Sequence, residues 1–404
     1  MTWHPPVPRR VTDPAGSVWS VQRAWPGVSA GRYVLEVQSH NHPGVLGGFF
    51  REGRFVPVGA EDSKLPALAL ESPKGETVVH RAHKRAVLRA GDTYIKVFRP
   101  EQAPAAAANH ALATVPLAGG RFRTPVMTAP RPDVLVFSRV AGRPYYELGQ
   151  DQSAVPDDYF AGMWAHWSQA WTETVARASG PAFRASLEQL PVHDAEEELV
   201  KVRRWIDHWL LHSEGIPEAG QGRAALLAQA DAVTAGLLAG PFDSLGWAHG
   251  DLHDKQILGT DIMGTDSPGT DILGTDSLGT DNAGAPGLLD FDEACRAEAA
   301  LDLANLDVHL ELRRRQNLLS GRRFTIAHAS IVSAASRLHV SPERFEAYAA
   351  SARLRLACMY SFRPPWGSWA VRYLSSQDLV PPALRRSPES RASVPHLSTE
   401  PSLT

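Results

Sequence analysis

Trp247-Ala-His-Gly-Asp-Leu-His-Asp-Lys-Gln-Ile-Leu258 and, beyond an intervening repeat, Gly287-Leu-Leu-Asp-Phe-Asp-Glu-Ala294 are the stretches on which the fold turns. Each sets a carboxylate, Asp251 in the first and Asp290 in the second, beside a short apolar run that reads as a β-strand. Phosphoryl transfer asks for such a pair, because one carboxylate must sit beside the attacking hydroxyl while another holds Mg²⁺ against the β- and γ-phosphates. A turn aspartate and a strand-end cap are the structural alternatives, and both would have to coincide with this order of parts.

The two stretches are separated by an internal repeat in which Gly-Thr-Asp recurs every five residues from Gly259 to Asp281, five copies in all. Its Gly, Thr, Asp and Ser content cannot form a packed core, so residues 259–283 are expected to be a disordered surface insertion. Calcium binding by the spaced aspartates is the functional alternative, but a five-residue period gives no recurrent ligand cage. Long insertions cost little, about 0.6 kcal/mol per doubling of loop length, so a hairpin joining Leu258 to Leu288 tolerates it.

Upstream, residues 1–75 read as a β-rich region, with strand-like runs at Tyr33–Val37, Val45–Phe50 and Arg54–Val58 between Gly, Pro and Asn clusters. A second β set follows at Glu76–His80, Ala86–Arg89 and Thr93–Phe98. An alanine-rich helix spans Ala103–Thr114 with Pro104 in its first turn, and strands are expected at Pro125–Thr128 and Asp133–Val140. Beyond about Gln150 the pattern becomes helical: Asp157–Ser179 behind Pro156, Asp194–Glu214 ending at Gly215, and a helix opened by Ser341-Pro342 that runs to about Tyr360. Trp164, Trp167 and Trp171 share one helical face and read as core rather than as a sugar-stacking surface. The Ser/Pro/Arg-rich tail, 381–404, reads as disordered.

With 404 residues the chain has room for about two to three folding units. The 41 Lys+Arg against 44 Asp+Glu leave a net charge of -3, which gives no global pull toward nucleic acid or membrane. Only Cys295 and Cys358 are present, too few for a disulfide framework or a four-cysteine zinc site. No apolar run reaches the roughly 18 residues of a membrane span, and Met1 to Arg10 lacks a signal-peptide core. A soluble cytoplasmic protein is expected.

His-Gly-Asp with an amide five residues after the Asp, then Leu-Leu-Asp-Phe, then Ala300-Leu-Asp-Leu-Ala-Asn305, resembles the aminoglycoside phosphotransferase family, protein-kinase-like small-molecule kinases. The likeness covers roughly Glu76 to Trp369. It implies an α+β, bilobal fold, with a β-rich N-lobe over 76–145 and a mostly helical C-lobe carrying the catalytic loop over 146–375. It also implies an ATP-dependent enzyme that moves the γ-phosphate to a hydroxyl of an amino sugar, aminoglycoside or other polyol. ATP and Mg²⁺ are the implied cofactors and a small hydroxyl acceptor the implied partner.

Carried over by residue, the resemblance makes Asp251 the base or orienting group for the acceptor and Asp290 the main Mg²⁺ ligand. Gln256 stands where the family has a metal-binding Asn, and its extra methylene displaces the oxygen. Lys96, in Tyr94-Ile-Lys-Val-Phe98, matches the strand lysine that neutralises α- and β-phosphate charge; a solvent-facing strand lysine is the alternative. The following helix has no glutamate to pair with it, so Glu101, Asn109 or His110 orients Lys96 or the pair is missing. No Gly-x-Gly-x-x-Gly loop precedes it; His80-Arg-Ala-His-Lys-Arg85 offers cations instead, Arg85 among them as a phosphate contact, with a solvated turn as the alternative for most. The nucleotide base is expected near Ser138 to Val140. Asp302 reads as structural, and Asp292 and Glu293 either meet a cationic substrate or face water. The second functional reading is a nucleotide-binding pseudokinase or regulatory module without turnover, motivated by Gln256 and the missing helix glutamate.

Overall fold

The computed structural model describes residues 3–259 and 284–374. The Gly-Thr-Asp repeat and the 381–404 tail lie outside the described residues.

The N-terminal region forms a five-stranded antiparallel meander, β1 (Arg10–Thr12), β2 (Val18–Pro26), β3 (Arg32–Ser39), β4 (His42–Arg51) and β5 (Arg54–Val58). The three runs expected from sequence are β3, β4 and β5. β2 was not expected, because its alternation breaks where a bulge between Val21 and Arg23 shifts the register. A short helix, α1 (Ala67–Glu71), leads into a four-stranded sheet of β6 (Glu76–Arg81), β7 (Arg85–Ala90), β8 (Thr93–Phe98) and β9 (Val134–Ser138), with α2 (Ala103–Thr114) between β8 and β9. The expected strand at Pro125–Thr128 is instead an extended segment beside β9 that makes one isolated bridge, Met127 to Phe137. Pro125 has no N–H to give a ladder there.

β10 (Arg143–Pro144) and α3 (Tyr145–Gln150) lead into the helical half, α4 (Asp157–Ala178), α5 (Arg184–Gln189), α6 (Ala195–Ser213) and α7 (Gly220–Leu238). Then come β11 (Leu245–Ala248), β12 (Ile257–Gly259), β13 (Gly287–Leu288) and β14 (Cys295–Glu298), followed by α8 (Ala300–Arg315), α9 (Gly321–Arg337), α10 (Pro342–Ser361) and α11 (Gly367–Leu374). β12 pairs with β13 across the repeat, Ile257 against Leu288, so the expected hairpin closes. The molecule is α+β, with a β-rich N-terminal half and a helical C-terminal half.

Caps account for the helix starts that the sequence announces. The Asp194 carboxylate accepts from the Glu196 and Glu197 amides to open α6, and the Ser341 hydroxyl accepts from the Arg344 amide to open α10. Trp164, Trp167 and Trp171 are fully buried in one core with Phe160, Trp247 and Leu303, as the core reading required. Truncating any of them to Ala costs about 3–5 kcal/mol.

The N-terminal meander shares a second core with the C-lobe: Trp19, Val21, Tyr33 and Leu35 pack with Val202, Trp209, Tyr348 and Phe362. The meander also meets β6, chiefly through β4 and less through β3. There Gly47 lets the backbones meet, since a side chain at that position would strike His80. Gly47 donates its N–H to His80 Nδ1 at 3.0 Å, while the His80 N–H goes to Glu36 at 2.9 Å. With Nδ1 accepting, the ring proton sits on Nε2, facing Asp62 at 3.4 Å, and burial holds the imidazole below its ordinary pKa.

Candidate active site

His249, Gly250 and Asp251 follow β11 directly, and the backbone there has one feasible residue choice. Gly250 has φ +81, and a Cβ on it would run into the Glu293 carbonyl. Glycine is therefore required by both conformation and space. The same three-residue turn is fastened from one face of α8. Asp302 accepts from the His249 amide at 2.6 Å and from the Gly250 amide at 2.9 Å. One turn on, Asn305 donates to the Leu252 carbonyl at 2.9 Å, and Arg313 grips Asp254 through two contacts of 3.0 and 3.2 Å. The structural reading of Asp302 holds, and its role is to aim the loop that carries Asp251.

Asp290 lies past β13 in the left-handed region, φ 66, a conformation that Asp tolerates better than most residues. Its Oδ1 meets Lys96 Nζ at 2.6 Å, and Asp292 Oδ1 meets the same ammonium at 2.9 Å. Burial alone would raise the Asp290 carboxyl, but Lys96 and Arg85 outweigh it and hold Asp290 well below the carboxylate range. Asp292 is pushed up by burial and by Asp290 beside it, with Lys96 offsetting only part. Burial works against the Lys96 ammonium, yet the two carboxylates win and raise it. Arg85 reaches Asp292 at 3.4 Å from the β6–β7 turn.

The partner of Lys96 is thus supplied from an unexpected direction. Neither Glu101, Asn109 nor His110 bonds to it. Asn109 on α2 instead donates its amide to the carbonyls of Phe291, Asp292 and Ala294 at 3.0, 3.3 and 3.2 Å. The helix acts on Lys96 at one remove, by pinning the turn that presents Asp292. That role for Asp292 corrects the reading of it as a substrate contact or a solvent-facing acid.

One cleft of about 390 Å³ is lined by Asp251, Gln256, Asp290, Lys96 and Arg85, so five of the seven residues picked from the sequence converge there. Ser138 and Val140 are not among its lining residues. The Ser138 amide donates to the Val126 carbonyl at 2.8 Å and its hydroxyl accepts from the Val126 amide at 2.9 Å, so the extended segment beside β9 already bonds these two Ser138 groups. Val140 faces Gly287 on β13. Gln256 lines the cleft, and its Oε1 turns inward to accept from the His253 amide at 3.1 Å, a bond that uses one of the oxygen's two lone pairs.

Sequence reasoning missed the far wall. Arg23 and Trp25 enter from β2, and Tyr360 and Arg363 from the end of α10. No motif marks them, and the first two lie in the region outside the resemblance. Among the described residues, no group of three or more His, Cys, Asp or Glu is placed to hold a metal by itself. Asp290 suits a single Mg²⁺ nonetheless, since that ion is commonly held by one or two carboxylates, with phosphate and water completing its shell. No described helix is long and apolar enough to cross a membrane.

No protein-family model matches the chain, and no curated protein matches it. Solved structures do. Glucosamine kinase is 16% identical, covering 92% of this chain and 95% of its own at a TM-score of 0.46. The aminoglycoside phosphotransferase APH(3'')-Id from Streptomyces rimosus is 16% identical over 74% of this chain and 96% of its own, TM-score 0.43. A choline/ethanolamine kinase family protein from Mesorhizobium loti is 16% identical over 82% and 94%, TM-score 0.45. The chain is similar to aminoglycoside phosphotransferases and small-molecule kinases, the group that its His-Gly-Asp and Leu-Leu-Asp-Phe motifs resemble.

Proposed function

We propose that this protein is an ATP-dependent phosphotransferase acting on a hydroxyl of a small polyol such as an amino sugar or aminoglycoside. The observation that carries the reading is the direct contact of Lys96 with Asp290, 194 positions away, in the same cleft as Asp251. A cleft of about 390 Å³ is within the size range of small-ligand pockets. Lys96 and Arg85 meet the phosphates of the donor. Asp290 would hold Mg²⁺, which when bound neutralises charge shared by the β- and γ-phosphates. Asp251 orients the acceptor hydroxyl and takes its proton as the new O–P bond forms; the bond from the γ-phosphorus to the bridging oxygen breaks, and ADP leaves. Most of the catalytic effect on this reading comes from positioning and charge.

A nucleotide-binding module without turnover is the second reading, favoured by the inward turn of the Gln256 oxygen. ADP release in the presence of Mg²⁺, ATP and an acceptor panel separates the two. Asp251→Asn is expected to abolish release while Mg·ATP binding, measured by calorimetry, persists. A wild type that binds ATP and releases no ADP with any acceptor overturns the enzyme reading.

A further inference from the structure

The cleft is lined by six cationic side chains, Arg23, Arg85, Lys96, Lys255, Arg313 and Arg363, against two acidic ones, Asp251 and Asp290. Four of the six have carboxylate partners within the fold. Lys96 has Asp290 and Asp292, Arg85 has Asp292, Arg313 has Asp254, and Arg23 has Glu36 at 3.4 Å. Lys255 and Arg363 have none among the described residues. Lys255 lies over the Tyr146 ring at 4.2 Å, and Arg363 over the Tyr360 ring at 5.0 Å. The Arg363 Nε is buried without an acceptor. Lys255 is exposed and Arg363 half-buried; Asp254 nearby favours the Lys255 charge and the Tyr360 hydroxyl bonds to Arg363, but no carboxylate pairs directly with either.

Lys255 lies on the loop four residues after Asp251, and Arg363 follows the end of α10. Burial and repulsion by Arg23 and Arg313 lower the pKa of each, with Tyr360 opposing the shift at both and Asp254 at Lys255, so the four cations form one positive field in the cleft that holds Asp251. The histidines that share the wall, His253 and His309, are held below their ordinary pKa by burial and add no acidic relief. A polycationic acceptor would find two lining carboxylates, Asp251 and Asp290, of which Asp290 is already bonded to Lys96. An acceptor carrying an oxyanion would supply what Lys255 and Arg363 lack.

From this arrangement we infer that the acceptor is a hydroxylated small molecule bearing an anionic group, a sugar acid or a sugar phosphate, whose oxyanion is bound by Lys255 and Arg363 with Arg23 beside them. The inference rests on the phosphotransferase reading for the word acceptor, but the anion site stands on its own charges.

The test uses the full chain with Mg²⁺ and ATP, and compares glucuronate and glucose 6-phosphate with glucose, glucosamine and kanamycin. At least one anionic compound is expected to exceed its neutral and cationic counterparts tenfold or more in kcat/KM, and which one wins distinguishes carboxylate from phosphate. Arg363→Met and Lys255→Met should each raise the KM for that compound about tenfold while moving the KM for ATP less than twofold. Calorimetric binding of the same compounds to the ADP-loaded protein is read in parallel. Anion binding that is lost in Arg363→Met, with no turnover, keeps the site and sinks the phosphotransferase reading. Preference for glucosamine or kanamycin, equal effects of Arg363→Met on ATP and acceptor, or no binding of either anion overturns the inference.

Discussion

Replacing Asp302 tests whether the turn that carries Asp251 is aimed from α8. Its two oxygens accept from the His249 and Gly250 amides, and the residue is 1% exposed, so no water stands ready to replace it. Asp302→Ala orphans both amides at about 1–3 kcal/mol each, a total of roughly 2–6 kcal/mol against a usual domain stability of about 5–15. At about 2–4 °C per kcal/mol the variant should melt roughly 5–20 °C lower. Asp302→Asn keeps the shape and one acceptor oxygen and should lose about half as much. Intrinsic fluorescence, to which the buried Trp247 contributes as one of 11 tryptophans, gives a signal of unfolding. Thermal melts followed at that signal, with ADP release on the folded fraction, therefore read stability and aim separately. Turnover should fall in both variants, since Asp251 is the next residue after Gly250. An Asp302→Ala protein that melts within 2 °C of wild type and keeps full turnover would refute this account, as would Ala and Asn variants that behave alike.

Asp292→Asn removes one of the two carboxylates that hold Lys96 while preserving size; a lost charge-assisted bond of about 1.5–3 kcal/mol predicts a fall on the order of tenfold to hundredfold in kcat/KM for ATP. Asn109→Ala should shift the same parameter in the same direction by less, because it only loosens the turn. Unchanged ATP kinetics in Asp292→Asn would show that Asp290 alone positions Lys96. A pH effect follows from Glu198, which burial raises but which the bond from His193 and the charges of Arg355 and Lys201 bring down to about 2. Its folded value lies below the unfolded value of about 4.3, so its stabilisation is complete above that pH and is lost as pH falls through it toward 2, on the order of 3 kcal/mol in all. Urea midpoints measured across that range should show a shallower acid limb in Glu198→Gln; identical limbs would place the acid sensitivity elsewhere.

The parts of this molecule that could be read from sequence are those whose constraint is local. α2 was legible from Pro104 and its alanines, α10 from Ser341-Pro342, and the His249–Asp251 turn from a glycine that the backbone itself demands. α8 was not read as a helix, although it organises the site. Nearly every residue from Ala300 to Arg313 is buried, polar ones included, so no apolar stripe at helical period survives to be seen. Its Asp302, Asn305 and Arg313 share the face that bonds to the 249–254 loop, a pattern that means nothing until the loop is in place. Asp292 escaped for the same reason, since its value as a partner for Lys96 depends on a turn pinned from α2.

The far wall shows how a site can be assembled from chain ends that carry no motif. β2 delivers Arg23 and Trp25 only because the meander is seated twice, through His80 on β6 and through the core it shares with α6 and α10. α10 is the helix whose end presents Tyr360 and Arg363, so the meander and the far wall of the cleft are fixed to the same support. The spacing between Arg23 and Arg363 is thereby set by a packed interior rather than by two mobile surface segments. Like charges held near each other in this way are tolerated when something of opposite sign is to be bound between them, and the rigidity of the support is what lets the cleft keep that charge in place.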